Sequence, residues 1–356
     1  MGTTTLLSLR SKLQTAIGDK NQAYADSYTD AIKNAVRQIY PDLHRKVDDM
    51  SLITGNILPP FNWSTTALLD FYTEPAGTLL KTTDSAYYHN GPTSAKVTGS
   101  GADDGIVLDS QAYARLLDVM DTEVSLKCWV ISQDADDAFL DIITTDSDGA
   151  DTTESSTTTC TAGVRTLLEI EDYDVPDDIT RIRIKLRVHT TAKYVYFDPP
   201  RLTGKTVNEY LLPTDLQNGT VRQSKIQASS YSDDACDDLH PEYWNDVFDW
   251  SIIQDGIYKY IRLPNLTSEY RIRLIGDCPL EDLTSDTTTI SLDEPKVSLL
   301  VTLAAHLLFE MKIGVASALD ISRYRERAAY WWGKYQMLLA GHGLGTPSPN
   351  FKIGYE

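Results

Sequence analysis

The sequence predicts an α+β multidomain protein: a mainly helical domain with a small β-hairpin, interrupted by an all-β sandwich. Three observations predict it. Apolar residues recur at helical spacing near both ends of the chain. In the middle they alternate with polar residues at a period of two. The end helices carry more apolar face than either end can bury alone. With 356 residues and 42 % hydrophobic content, the chain has material for two cores.

Residues 1–58 read as helical. Thr3, Thr4 and Thr5 offer capping hydroxyls to a stripe of Leu6, Leu9, Leu13 and Ile17, which Gly18 and Asp19 end. A second stripe, Tyr28, Ile32, Ala35, Val36 and Ile39, stops at Pro41, and "ITGNILPPFNW" reads as a linker. From 61 to 205 the helical period vanishes. "VSLKCWVIS" and "RIRIKLRV" alternate as half-buried antiparallel strands do, and turn-rich stretches such as "SDGADTTESS" separate such runs. After 205, "YKYIRL" and "YRIRLIG" read as the two strands of a hairpin joined by "PNLTSE". Asp293 or Glu294 then opens a helix with Pro295 in its first turn, and Val297, Leu300, Val301, Ala304, Leu307, Leu308 and Met311 give it a wide apolar face. The last helix opens at Asp320, repeats Ile321, Tyr324, Ala328, Trp331, Tyr335 and Leu338, and ends at Gly341. The simplest fold joins residues 1–58 and 206–342 in one domain and inserts 61–205 through a surface loop. Residues 343–356 are an extended tail in which Phe351, Ile353 and Tyr355 alternate as a strand would, suited to adding to a partner's sheet edge.

The chemistry of the sequence excludes more than it selects. With 32 basic and 51 acidic residues the net charge is −19, which opposes sequence-independent DNA affinity. No apolar run is long enough to cross a membrane, and the opening residues lack the apolar core of a signal peptide. The four cysteines form neither a metal spacing nor a disulfide framework, so the reading is a protein made in a reducing cytoplasm. The six histidines do not cluster, and no nucleophile elbow, zinc helix or phosphate loop is present. The expectation is therefore a protein that is not an enzyme and that holds no cofactor or metal. "DSDGAD" at 146–151 has the acids of a calcium loop but lacks its terminal Glu, and reads as an acidic turn. The stripe Arg181, Arg183, Lys185, Arg187 either grips an acidic polymer or pairs with acids on neighbouring strands. Acids outnumber bases two to one in 61–205, which favours the pairing. Trp129, Tyr194 and Tyr196 fall off the core face, where they form a glycan-stacking platform or pack against a loop or neighbour. Trp331 lies on the core stripe of the last helix, and Trp332 about 100° around it. Tyr324, Trp332 and Tyr335, with Phe351, Ile353 and Tyr355 of the tail, are the candidate oligomer or partner interface.

Two resemblances add to this. "YTDAIKNAVRQIYPDL", "IRLPN", "YRIRLIGDCPLEDL", "DEPKVSLLVTLAAHLLFEM" and "RYRERAAYWWGKYQMLLAG", in that order, resemble the head–tail connector (adaptor) proteins of tailed double-stranded DNA viruses over 1–58 and 206–342. That resemblance implies a structural protein of the virion neck: a twelve-fold homo-oligomeric ring that binds the portal protein. The ring would dock the next neck or tail ring and let packaged DNA pass its lumen without specific binding or any membrane. "HNGPTSAKVTGSG" and "AKYVYFDPPRLTG", with Asp198, are similar to the early and last strands of carbohydrate-binding-module jelly rolls. This implies an alternative: a carbohydrate-binding or host-attachment virion protein acting through the sandwich.

Overall fold

A computed structural model describes residues 3–63, 69–89, 93–228, 244–264, 269–317 and 320–341. The predicted tail, with Phe351, Ile353 and Tyr355, lies outside the described residues. Among those described, the α-helices are α1 (Leu6–Ile17), α2 (Ala25–Gln38), α3 (Thr214–Gln217), α4 (Lys296–Ile313) and α5 (Ile321–Gly341). The chain divides into two compact units, residues 1–46 with 277–356, and residues 47–276.

The first unit is built from α1, α2, α4 and α5. Thr5 caps α1 by accepting a hydrogen bond from the Ser8 N–H at 3.1 Å, and Gly18 ends it in the left-handed conformation at φ 70°. Helix α4 buries residues on every side, including Leu299, Leu300, Leu303, Ala304 and Leu308, because α1, α2 and α5 all pack on it. Leu9, Leu13, Ile32, Val36 and Trp331 complete that core. Asp19 locks the α1–α2 turn. Burial disfavours its charge, but hydrogen bonds from the Tyr28 hydroxyl and from the Ala23 and Tyr24 N–H groups, the last two at 3.0 Å, outweigh burial and hold its carboxyl below the ordinary value. Its stabilisation is thus present above the unfolded carboxylate pKa and lost as pH falls through the lower folded one. Asp19→Ala is expected to cost roughly 1–2 kcal/mol at pH 7. Urea midpoints of the two proteins should converge in acid; a difference that persists there would contradict the assignment.

The second unit contains a two-sheet sandwich. One sheet orders Arg165–Asp174, Glu123–Ser132, Tyr194–Phe197, Ser94–Thr98 and Thr78–Thr82, with Arg201–Thr203 also paired to Glu123–Ser132. The other orders Tyr72–Thr73, Asp104–Asp109, Arg181–Val188, Ala138–Thr145 and Asp151–Ser155. All these pairings are antiparallel. Alternate residues of each strand, such as Leu126, Cys128 and Val130 facing Ile182, Ile184 and Leu186, fill one core between the sheets. Three residues of the outward basic stripe are paired with acids: Arg181 with Asp109 on one adjacent strand, Arg187 with Asp141 on the other at 2.8 Å and with Asp103 at 2.6 Å, and Arg183 with Asp151 on the edge strand at 2.5 Å.

The expectation of a mainly helical domain around the sandwich is overturned. Among the described residues strand exceeds helix, 37 % against 25 %. Residues 45–53, read as helix and linker, are a strand, in a four-stranded sheet ordered Trp244–Val247, Thr220–Gln227, Arg271–Cys278 and Arg45–Ile53. The predicted hairpin is also wrong. Tyr258–Arg262 pairs with Ser251–Asp255 across a turn at Gly256 (φ 60°) and with Glu209–Leu211, whereas Arg271–Cys278 lies in the other sheet. The sandwich packs on these strands: Arg115 is 2.9 Å from Glu209 and lies over the Tyr260 ring, and the Phe71 and Tyr258 rings are 4.6 Å apart.

Candidate functional site

Two surfaces gather the residues singled out in the sequence. The first is the outer face of the sandwich sheet. Strand Glu123–Ser132 turns Val124, Leu126, Cys128 and Val130 inward, which sends Lys127, Trp129 and Ile131 outward. Strand Tyr194–Phe197 buries Val195 and Phe197 and sends out Tyr194 and Tyr196. The register sets Tyr196 beside Ile131 and Lys96, and Trp129 beside Leu167. Lys96 Nζ lies 4.1 Å from the Tyr194 ring centre, a cation–π contact.

The chain's own segment 84–89 crosses this face. Asp84 caps a short 3₁₀ turn, Ser85–Tyr87, and Tyr87 stacks on Tyr196 at 4.2 Å and 14°. Arg165 donates to the Ala86 and Tyr88 carbonyls at 3.4 and 3.2 Å. The His89 N–H donates to Asp198 at 2.5 Å, and the His89 ring meets the Trp129 edge at 4.9 Å. Trp129, Tyr194 and Tyr196 are therefore brought together but do not form an open platform. Tyr196 is buried under Tyr87, and Tyr194 meets it edge-on at 79°. What stays accessible is a half-buried cluster of Tyr87, Tyr88, His89, Trp129 and Tyr194. Sequence reasoning missed the segment's role, placing His89 at the start of "HNGPTSAKVTGSG", the stretch similar to early jelly-roll strands. Asp84 before Ser85 and Ala86 was the available signal for the turn.

The second surface is on α5. Tyr335 is buried, its hydroxyl donating to Asp42 at 2.6 Å; burial and that carboxylate push its phenol well up. Tyr324 is half-buried beside Phe309, its phenol raised by a hydrogen bond with Tyr24 and by burial. Both serve the helical core more than an outer face. Trp332 is 44 % exposed and rests on Tyr335 and His306. Tyr330 and Met337, seven residues apart and so on one face, are 63 % and 74 % exposed. A groove of about 510 Å³ lies between α1, α4 and α5, floored by Val301, Trp331 and Leu338 and rimmed by Lys334 and the Lys12–Glu294 pair at 2.6 Å.

Neither surface assembles a catalytic constellation. Among the described residues no group of three His, Cys, Asp or Glu side chains is placed to hold a metal ion. In the loop 146–151, Asp146 accepts the N–H groups of Asp148 and Ala150, and Asp151 pairs with Arg183. No helix among the described residues is long and apolar enough to cross a membrane.

No protein-family model matches the chain, and no curated protein matches it. Solved structures are similar to part of it. The C-terminal family 22 carbohydrate-binding module of Clostridium thermocellum Xyn10B is 15 % identical over 44 % of this chain and 96 % of that one, with a TM-score of 0.33. The CBM22-1 xylan-binding domain from Paenibacillus barcinonensis Xyn10C is 18 % identical over 46 % and 99 %, with a TM-score of 0.34. The enzymatically active domain of bacteriophage CBA120 tailspike protein 4 is 14 % identical over 42 % of this chain and 22 % of that one, with a TM-score of 0.32. At such scores these likenesses carry no argument, and the two-sheet sandwich rests on the strand pairings described above.

Proposed function

We propose that this chain is an assembly protein of a tailed-virus neck, a connector whose helical unit joins portal and neighbouring copies while the sandwich is displayed. The observation that supports it best is the apolar face of α5. Tyr330 and Met337 stand in solvent on one side of the helix, an exposure of large apolar side chains that marks a protein interface more often than a monomer surface. The connector identity itself rests on the resemblance of the outer segments. The chain's acidity fits a channel wall past which DNA slides rather than binds. Negative-stain imaging of the protein mixed with the portal of the same virus tests it: capped portals support the reading, and bare portals beside monomers contradict it.

A second reading, carbohydrate binding through the sandwich, is favoured by the aromatic cluster around Trp129 and Tyr194. The solved structures similar in fold include modules named for xylan binding, but the reading rests on the cluster. Because segment 84–89 occupies the face, no saturable glycan binding is expected on a broad array. A reproducible hit abolished by Trp129→Ala would move the function to the sandwich.

A further inference from the structure

We propose that the outer edge of strand Ser251–Asp255 receives an extended strand from a second copy of this chain, residues 351–355. This goes beyond the connector reading and does not depend on a portal. Among the described residues Ser251–Asp255 pairs on one side only, with Tyr258–Arg262, and is the end strand of its three-stranded sheet. An edge strand offers a row of free N–H and C=O groups, which proteins normally guard with lysine, proline or a bulge. "SIIQD" has none of these guards.

The surroundings are those of a covered surface. Phe248 and Ile257, just outside the two ends of the strand, are 85 % and 82 % exposed, and Ile252 in the strand is also exposed. The occupant is chosen by pattern, charge and length. "FKIGY" alternates Phe351, Ile353 and Tyr355 on one face, so that main-chain bonds supply affinity and three large apolar side chains supply contact with the exposed apolar residues. Lys352 sits among them, while Asp249 precedes the receiving strand and Asp255 ends it, in a chain that is strongly acidic. Nine residues lie between Gly341 and Phe351, so the two are ten steps apart along the chain, a reach of up to ~33 Å when extended. A strand donated from copy to copy closes a pair when the exchange is reciprocal and builds rings or filaments when it runs head to tail.

The test uses the full chain in two differently tagged forms, one carrying Ile252→Cys and the other Ile353→Cys, with Cys236→Ser in both. Cys128, Cys160 and Cys278 are buried and stay in place. Under mild oxidation the mixture is expected to give a disulfide product bearing both tags, and truncation after Gly341 is expected to abolish the heavier species in sedimentation velocity. Absence of the mixed product, with sedimentation unchanged by truncation, overturns the proposal. A chain carrying both cysteines that cross-links only within itself overturns the choice of a second copy.

Discussion

Arg187→Ala is expected to destabilise the sandwich by about 3–5 kcal/mol, one of the largest single effects in the molecule. The Asp141 carboxylate is almost fully buried and holds Arg187 at 2.8 Å, with Ser155 as its other side-chain partner at 2.7 Å. Truncation leaves that charge buried without its cation, which costs far more than a surface pair is worth. Replacing both partners, Arg187→Met with Asp141→Leu, should recover most of the loss, since the desolvation penalty goes with the charges. Hydrogen exchange in strands Ala138–Thr145 and Arg181–Val188 reads the result. Equal loss in the single and double variants would mean packing of the arginine stem, not charge, is what matters.

Phe197→Ala is expected to cost a similar ~3–5 kcal/mol, by deletion of a fully buried aromatic ring from the sandwich core. Phe197 lies between Ala95 and Val130 in the register, on the strand that carries Tyr194 and Tyr196. The cavity should therefore loosen the outer aromatic cluster as well as the core. Denaturant midpoints measure the cost, and near-ultraviolet dichroism measures the loosening. A loss under ~1 kcal/mol would show that the sheets collapse onto the gap.

Some of this was legible in residue patterns and some was not. Both inward-facing runs of the sandwich could be read from "VSLKCWVIS" and "RIRIKLRV", because a strand with one buried face writes its period into the sequence. The stripes of α1, α2, α4 and α5 were legible for the same reason. The strands 45–53, 220–227 and 244–247 were not. Their burial is irregular, and polar residues such as Asp48, Arg222 and Asp246 interrupt any alternation. Two adjacent β-rich runs, "YKYIRL" and "YRIRLIG", looked like a hairpin because sequence shows strand character but not pairing partner. At the candidate sites, alternation put Trp129, Tyr194 and Tyr196 on one face. The stacking of Tyr87 over Tyr196 depends on where a turn lands in space, and no periodicity carries that. On α5 the stripe grouped Tyr324 and Tyr335 with the core they join, while Tyr330 and Met337 fall beside that stripe, next in sequence to Trp331 and Leu338, which lie on it.

The proposed assembly role turns on the face of α5, and one measurement tests it most directly: co-sedimentation of the full chain with the portal ring of the same virus, wild type against Tyr330→Glu/Met337→Glu. Both side chains are exposed, so the variant should keep its helical dichroism and melting behaviour. The account predicts that wild type sediments with the portal as a multimer and that the double variant stays in the light fraction. Wild type that stays light, or a double variant that sediments with the portal as wild type does, would contradict it.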